Sequence, residues 1–267
     1  MKKTIKLFAL AALLILGGQT MAQTNGSMFL GASFPLTDYA DFDGFDEFAL
    51  TSTDNDGGAS VGFNMGLKWY FNVGVKGLNV MLSADGFYNG ANADLKSAYR
   101  RGDHVVSTTP NVIDEIIESF TEQDFSYKTT PKYVNVPVML GLNYIYHFNP
   151  NLGVYVEAGC GGNLSIITQM ETVESWKTVI TNREVKTTTT QAFDKTFSFA
   201  YQAGIGIEVA KNLVIGCSFY DLGNAKVKGD QTIKKIENNA TTEYKPEFKE
   251  YGKLHPMMIL GRIGFKF

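Results

Sequence analysis

Alternating apolar and polar residues, tight turns that alternate with long connections, and aromatic residues at strand ends predict an all-β fold. The predicted architecture is an eight-stranded antiparallel up-and-down transmembrane barrel. The clearest strand runs from Tyr133 to Phe148, and its even-numbered positions are all apolar or aromatic. Its odd-numbered positions are mostly polar or small. Because successive side chains of a strand point to opposite faces, one face suits lipid and the other a polar interior.

Seven further segments show the same alternation. The eight predicted strands run near residues 26–34, 59–71, 78–90, 133–148, 152–167, 196–209, 213–224 and 255–267. Their apolar faces carry no charge, with one exception in the seventh segment. There Asp221 shares the face of Leu213 and Phe219, so we expect it to lie beyond the edge of the membrane.

The connections alternate between short and long. The short ones are Asn72–Gly77, Asn149–Asn151 and Ala210–Asn212, all rich in turn residues. The long ones lie near 35–58, 91–132, 168–195 and 225–254. Short periplasmic turns at one rim and four long extracellular loops at the other are typical of outer-membrane barrels, and this places both termini at the periplasmic rim.

Aromatic residues cluster near both predicted rims. The periplasmic group is Trp69, Tyr70, Phe71, Tyr144, Tyr146, Phe148, Phe265 and Phe267; the outer group is Phe34, Tyr88, Tyr133, Phe197, Phe199 and Tyr201. Aromatic residues also favour strands in general. Their position at strand ends favours two interfacial girdles.

The N-terminus reads as a secretory signal peptide over residues 1–22, with Lys2, Lys3 and Lys6 before an apolar run and cleavage after Ala22. The barrel would then occupy residues 23–267. Without those three lysines, 21 basic residues remain against 27 acidic ones, a net charge of about −6, which argues against nucleic-acid binding. Cys160 and Cys217 fall on strands separated by a third, too far apart to pair, and we expect two free thiols.

The chain resembles small outer-membrane β-barrel proteins of Gram-negative bacteria, the porin-family or OmpA/OmpX-like barrels. The resemblance is carried by residues 1–22, the segment Tyr133–Val138 and the closing Gly264–Phe267. The resemblance implies an outer-membrane location and contact with outer-membrane lipid. It also implies that Phe265 and Phe267 act as the C-terminal signal by which the barrel-assembly machinery selects its substrates. Pro137 departs from a regular strand because it cannot donate a ladder hydrogen bond, so we expect a bulge there or a carbonyl without its partner.

Six charged residues fall on inward-facing positions. They are Lys68, Arg262 and Lys266 together with Asp85, Glu157 and Glu208. Buried charges are tolerated when they are paired, which predicts an interior network in which Arg262 pairs with Glu157. A charged pore lining is the alternative. Inward glycines either make room for these side chains or leave a water path. The narrow lumen of an eight-stranded barrel favours a filled interior.

The sequence contains no catalytic, cofactor or metal motif. His104 with Asp103 or Asp114 is a single neighbouring pair, and Asp54–Gly57 lacks the remaining ligands of a calcium loop. We therefore expect no enzymatic activity, no cofactor and no metal.

The long loops are the expected place of function. Two hairpins are predicted, turning near Asn182-Arg183 and Asn238-Asn239, and a short helix over residues 112–120. Exposed strand edges of such hairpins can bind an extracellular partner by strand addition. The predicted role is structural or in surface interaction. A narrow passive pore and a secreted lipocalin-type barrel with an apolar ligand remain the alternatives.

Overall fold

The computed structural model of this chain describes residues 25–41, 57–93, 121–178, 183–210, 212–237, 240–245 and 252–267. Their strands are β1 (Asn25–Leu36), β2 (Gly62–Asn72), β3 (Leu78–Gly90), β4 (Thr121–Thr129), β5 (Lys132–Asn149), β6 (Leu152–Ile167), β7 (Met170–Thr178), β8 (Arg183–Phe193), β9 (Thr196–Val209), β10 (Leu213–Asp221), β11 (Ala225–Val227), β12 (Gly229–Glu237), β13 (Ala240–Tyr244), β14 (Gly252–Leu254) and β15 (Met257–Lys266). A 3-10 turn at Thr37–Tyr39 follows β1. In the described part of the chain, no helix has the length and hydropathy needed to cross a membrane.

Eight of the strands close into an antiparallel barrel in the order β1-β15-β10-β9-β6-β5-β3-β2. The first and last strands pair, and the backbone N–H of Gly26 donates to the carbonyl of Phe267 at 3.1 Å. These strands coincide with the eight predicted segments to within a few residues, so the predicted fold is confirmed. The predicted signal peptide, residues 1–22, lies outside the described residues.

The exterior of the barrel is apolar. Leu140 on β5 is 61% exposed and Ile205 on β9 is 62% exposed, while the polar residues that alternate with them face the interior. A soluble lipocalin-type barrel needs the opposite arrangement, with its apolar faces inside. The distribution of side chains is that of a barrel embedded in lipid.

Five barrel strands continue beyond the rim as a second sheet. This outer sheet has the order β13-β12-β8-β7-β4, which repeats the order of β15, β10, β9, β6 and β5 in the barrel. The pair Ser165↔Thr196 joins β6 to β9, and five residues further along each strand the pair Met170↔Gln191 joins β7 to β8. At these two strands the register of the barrel wall therefore passes unchanged into the outer sheet. Both predicted hairpins, β7–β8 and β12–β13, belong to it.

Two details differ from the expectations, and a third decides between two alternatives. Residues 121–129, which were assigned to a long connection, form β4 at one edge of the outer sheet. Tyr70 and Tyr133 are buried inside the barrel instead of belonging to the girdles, because they sit on inward positions of their strands. Of the two alternatives expected at Pro137, the bulge is absent: the ladder between β3 and β5 skips two pairs and resumes in the same register at Phe87↔Asn135. This interruption agrees with the other alternative, a carbonyl without its ladder partner.

The predicted helix over residues 112–120 lies outside the described residues. Three tight connections join β2 to β3, β5 to β6 and β9 to β10. All three fall at the rim where β1 begins and β15 ends.

A charge on the lipid-facing surface should destabilise the barrel. Leu140 lies near the middle of β5, and Leu140→Arg is expected to lower the free energy of unfolding from lipid vesicles by about 2–4 kcal/mol. Thr241→Arg on the exposed β13 adds the same charge outside the barrel and should change it by less than about 0.5 kcal/mol. Denaturant titration of both refolded variants measures the difference. Equal effects would contradict a lipid-facing Leu140.

Candidate functional site: the barrel interior, its mouth and the outer sheet

A group of buried ions occupies the middle of the barrel. Arg262 on β15 places Nη1 3.0 Å from Asp85 Oδ1 and Nη2 3.4 Å from Glu157 Oε1. Lys68 on β2 forms an ion pair with the same oxygen of Glu157. Two cations thus face two carboxylates. Asp85 is the nearer partner of Arg262, and Glu157 is shared between Arg262 and Lys68.

Neutral side chains also contact this group. Tyr220 donates its hydroxyl hydrogen to Asp85 Oδ2 at 2.8 Å, and Arg262 Nη2 donates to Ser218 Oγ at 2.5 Å. The ring of Phe29 lies beneath both cations, 5.2 Å from Lys68 Nζ and 5.3 Å from the guanidinium carbon of Arg262. Such cation–π contacts become stronger where water is excluded.

Glycines on neighbouring strands make room for these inward side chains. A Cβ atom at Gly66 would overlap Asp85 Oδ1, and one at Gly204 would lie 2.8 Å from Glu157 Oε1. Gly206 and Gly216 leave space in the same way for the ring and hydroxyl of Tyr155. At these positions the space left by glycine is filled by a side chain.

The remaining predicted interior charges form a separate group at the periplasmic end. Lys266 on β15 forms an ion pair with Glu208 on β9, and His147 Nε2 lies 3.6 Å from the other oxygen of Glu208. Lys266 Nζ also lies 5.9 Å from the ring centre of Tyr70. The six predicted residues are therefore divided between two groups.

The neutral members of the central group were not among the predicted residues. Ser218 and Tyr220 occupy inward positions of β10, and Phe29 does so on β1. Strand alternation could have placed all three inside the barrel. Ser218 and Phe29 meet charged residues of neighbouring strands, whereas Tyr220 meets Asp85 across the barrel, which no single strand pattern shows.

A layer of amides and hydroxyls lies above the ions, toward the outer rim. Asn163 Nδ2 donates to Ser165 Oγ at 2.9 Å, and Ser165 donates its hydroxyl hydrogen to Asn135 Oδ1 at 2.7 Å. From β3, the strand next to β5, Asn89 Nδ2 donates to Ser33 Oγ on β1 at 2.9 Å. These short polar side chains extend the filled interior toward the outer rim.

The outer mouth is closed by residues that follow β1. Tyr39 is completely buried and packs edge-to-face on Tyr133, with ring centres 5.6 Å apart, and its own cluster includes Leu222, Val227 and Leu254. Burial raises the pKa of the Tyr39 phenol well above its usual range, and the neighbouring Tyr133 adds to this effect. Tyr39 therefore stays neutral and fills the mouth as an apolar group. We call Tyr39, Leu222, Val227 and Leu254 the mouth cluster.

Asp221, which was expected beyond the membrane edge, is the last residue of β10. It is buried at the end of β10, where His255 Nε2 lies 2.8 Å from Oδ1 and the backbone N–H of Gly223 donates to the same oxygen at 2.8 Å. Tyr201 donates its hydroxyl hydrogen to Oδ2. Asp221 therefore fixes the chain where it leaves the barrel.

The outer sheet ends in two edge strands, β13 and β4. All five residues of β13, from Ala240 to Tyr244, are exposed, and among the described strands β13 pairs with β12 alone. A strand edge of this kind can accept another strand.

Other candidate residues do not form a site within the described ranges. Cys160 on β6 and Cys217 on β10 are free and exposed, with β9 between their strands. The described residues contain no cluster of His, Cys, Asp and Glu that could hold a metal ion. Three further candidates lie outside these ranges: His104, Asp103 and Asp114. Of the segment Asp54–Gly57, the described ranges include Gly57 alone.

The closed barrel, its apolar exterior and its buried charged interior define a transmembrane β-barrel of the outer-membrane type. The sequence matches no protein-family model and no curated protein. Among solved structures, a major outer membrane protein from Thermus thermophilus is similar, with 10% identity, 92% of this chain and 100% of that chain covered and a TM-score of 0.40. OprG from Pseudomonas aeruginosa has 11% identity, coverage of 91% and 95% and a TM-score of 0.38. Ail, the attachment invasion locus protein of Yersinia pestis, has 14% identity, coverage of 92% and 99% and a TM-score of 0.33.

The geometry predicts unequal coupling within the central ion group. Asp85 is the nearer partner of Arg262, whereas Glu157 keeps Lys68 when Arg262 is removed. Double-mutant cycles should therefore give a larger coupling energy for Arg262→Met with Asp85→Leu than for Arg262→Met with Glu157→Gln, both within about 0.5–3 kcal/mol. The pair Arg262 and Glu208 serves as the control and should couple by less than about 0.5 kcal/mol. Zero coupling in both test cycles would refute the ion group.

Proposed function

We propose that this chain is an integral outer-membrane barrel that holds a stiff sheet above the cell surface for contact with an extracellular partner. One observation carries the proposal: the barrel wall continues into the outer sheet with unchanged register between β6–β9 and β7–β8. A sheet built as an extension of embedded strands is held at a fixed position relative to the membrane. A barrel that served only to cross the membrane would not need such an extension.

The filled interior supports this role over a narrow passive pore. The central ion group spans the lumen, glycines are matched to large inward side chains, and the mouth cluster covers the outer end. The lumen of an eight-stranded barrel is about wide enough for side chains alone. We also infer that the chain has no catalytic role.

The exposed β13 edge supports contact by strand addition. Its unpaired backbone side would supply hydrogen bonds to an extended segment of a partner, and neighbouring side chains would supply specificity. A purely structural role, in which the outer sheet only shields the barrel, is the second candidate. It is favoured by the hydrophilic residues that make up most of β13.

Export and assembly belong to the same proposal. Residues 1–22 would direct secretion and be removed, leaving 23–267 as the barrel. Phe265 and Phe267 are both exposed on the outer face at the end of the chain, which is accessible to the assembly machinery during insertion. Removal of both rings by Phe265→Ala and Phe267→Ala would then reduce insertion.

The refolded protein is expected to give no discrete conductance steps in planar bilayers. Only samples that show heat-modifiable gel mobility would be measured, so that an absence of conductance steps can be attributed to a folded barrel. Discrete steps that change in size with Arg262→Gln would overturn the closed interior and support the pore. Steps unaffected by that substitution would place the conducting path outside the central ion group, which also contradicts a barrel closed along its length.

Proline substitution in β13 tests the surface role. Thr241→Pro with Glu243→Pro removes two backbone N–H groups from the edge strand and leaves β12, β8 and the barrel strands in place. Cells that display this variant are expected to lose adhesion to those members of a panel of immobilised extracellular polypeptides that the unaltered chain binds. Lys76→Ala in the exposed β2–β3 turn is the control on the opposite rim. Unchanged adhesion of the proline variant would favour the structural role.

A further inference from the structure

The two edges of the outer sheet run in the same direction. The sheet has five strands that alternate in direction, so its first and last strands, β13 and β4, are parallel to each other. β13 leads through β14 into β15, and β4 leads into β5. Both of these barrel strands descend to the periplasmic rim, so both free edges of the outer sheet run toward the membrane.

The embedded barrel fixes this direction and thereby restricts how two copies of the chain can pair. Copies that lie side by side in one membrane present edges that run the same way, which allows only a parallel ladder. Copies in two facing membranes present edges that run in opposite directions, which allows an antiparallel ladder. The ladders within the outer sheet are all antiparallel. Antiparallel pairing is also slightly more stable per residue, so the geometry favours contact between facing membranes.

Of the two edges, β13 is better suited to accept another strand. Its ladder with β12 runs without a register shift over all five residues, Ala240–Tyr244. The ladder of β4 with β7 shifts register between Tyr127 and Thr129. A bulge of this kind bends and twists a strand, and natural sheets use it to block an edge. β13 contains neither a bulge nor a proline or lysine, the residues that commonly protect edges.

The sequence of β13 is complementary to itself in one antiparallel register. This register sets Thr242 opposite its own copy, Thr241 opposite Glu243 and Ala240 opposite Tyr244, and it pairs all five residues of both strands. Threonine pairs are favourable cross-strand neighbours, and no like charges stand opposite each other. A shift by two residues toward the end of the strand would set Glu243 opposite its own copy, where the two carboxylates repel each other.

We propose that β13 recognises a second copy of this chain in a facing outer membrane, by antiparallel pairing with β13 of that copy. The two outer sheets then join into one continuous sheet that links the two membranes. The inference rests on the proposed function, a sheet held above the cell surface for contact, and names the partner of its exposed edge. Backbone hydrogen bonds supply the contact, and the register of Ala240–Tyr244 supplies the specificity.

The small size of the contact determines where it acts. Five residues from each copy bury much less than the roughly 1,000 Å² that a stable interface needs. Single copies in detergent therefore stay monomeric. Many copies on two facing membranes bind together, because each pair that forms raises the effective concentration of the next.

The first test places the full barrel in phosphatidylcholine vesicles and follows vesicle clustering by light scattering. The unaltered chain is expected to cluster the vesicles. Thr241→Pro with Glu243→Pro should slow clustering by about tenfold or more, because proline removes backbone donors from the edge. The matched control Thr241→Ser with Glu243→Gln keeps those donors and should stay within about twofold of the unaltered chain. Every variant must show heat-modifiable mobility.

The second test reads the register with introduced cysteines in two vesicle populations, one of which carries an affinity tag on the chain. Thr242→Cys in both populations is expected to form disulfides between tagged and untagged chains under mild oxidation. The same holds for Ala240→Cys in one population with Tyr244→Cys in the other. Ala240→Cys in both should form none, because its two copies would lie four positions apart, about 13 Å and beyond the reach of a disulfide.

Two precautions keep the disulfide pattern specific to β13. The free Cys160 and Cys217 are replaced by alanine in every chain. Lys234→Cys, an exposed position on the adjoining strand β12, is the matched control and should form no disulfide between the populations.

Clustering that the proline variant leaves unchanged would overturn the proposal, as would disulfides that form as readily at Lys234→Cys as at Thr242→Cys. Dimers that form in one population while its vesicles stay dispersed would place the copies side by side in one membrane and overturn it as well. If the unaltered chain adheres to extracellular polypeptides but does not cluster vesicles, this inference alone is refuted. If it does neither, the proposed surface function fails with it.

Discussion

Two carboxylates shared between two buried cations hold the centre of the barrel together. Lys68, Asp85, Glu157 and Arg262 come from four different strands, and Tyr220 and Ser218 add a fifth. Burial of such charges is tolerable only when each meets a partner, so the four strands must close in one register for any of these side chains to be accommodated. The glycines at 66 and 204 are part of the same constraint, because a larger residue there would displace a carboxylate from its cation.

This constraint explains why the outer side of the molecule is the place for function. A lumen filled by ion pairs, a polar layer above them and the mouth cluster leaves little of the interior to interact with a solute. The surfaces that remain are the lipid-facing exterior and the outer sheet. Both belong to strands whose inward side chains already pack inside the barrel.

Strand alternation was sufficient to predict the eight barrel strands, their inward and outward faces and which charged residues point inward. It could not rank the contacts of a residue whose partners lie on distant strands. The predicted ion pair of Arg262 with Glu157 is present at 3.4 Å, but Asp85 on β3 lies nearer to Arg262, at 3.0 Å. The same limit applies to the outer sheet. Both hairpins were predicted, yet their union with β4 depends on registers that are set within the barrel and are not visible in any one segment.

Two girdle assignments failed for a different reason. Tyr70 and Tyr133 were grouped by their position near strand ends, although their own alternation placed them inside. Residue parity was the better guide. Tyr133 is used in the interior, where its hydroxyl hydrogen bonds to the carbonyl of Gly57 and its ring supports Tyr39.

The unbroken register between the barrel wall and the outer sheet has a mechanical consequence. A load applied at the tip of the sheet acts along the strands, whereas the hydrogen bonds between antiparallel strands run perpendicular to them. Such a load shears many bonds at once and does not open them one after another. Tension therefore passes along β8 into β9 and along β7 into β6, and the embedded wall bears it as an anchor in the bilayer.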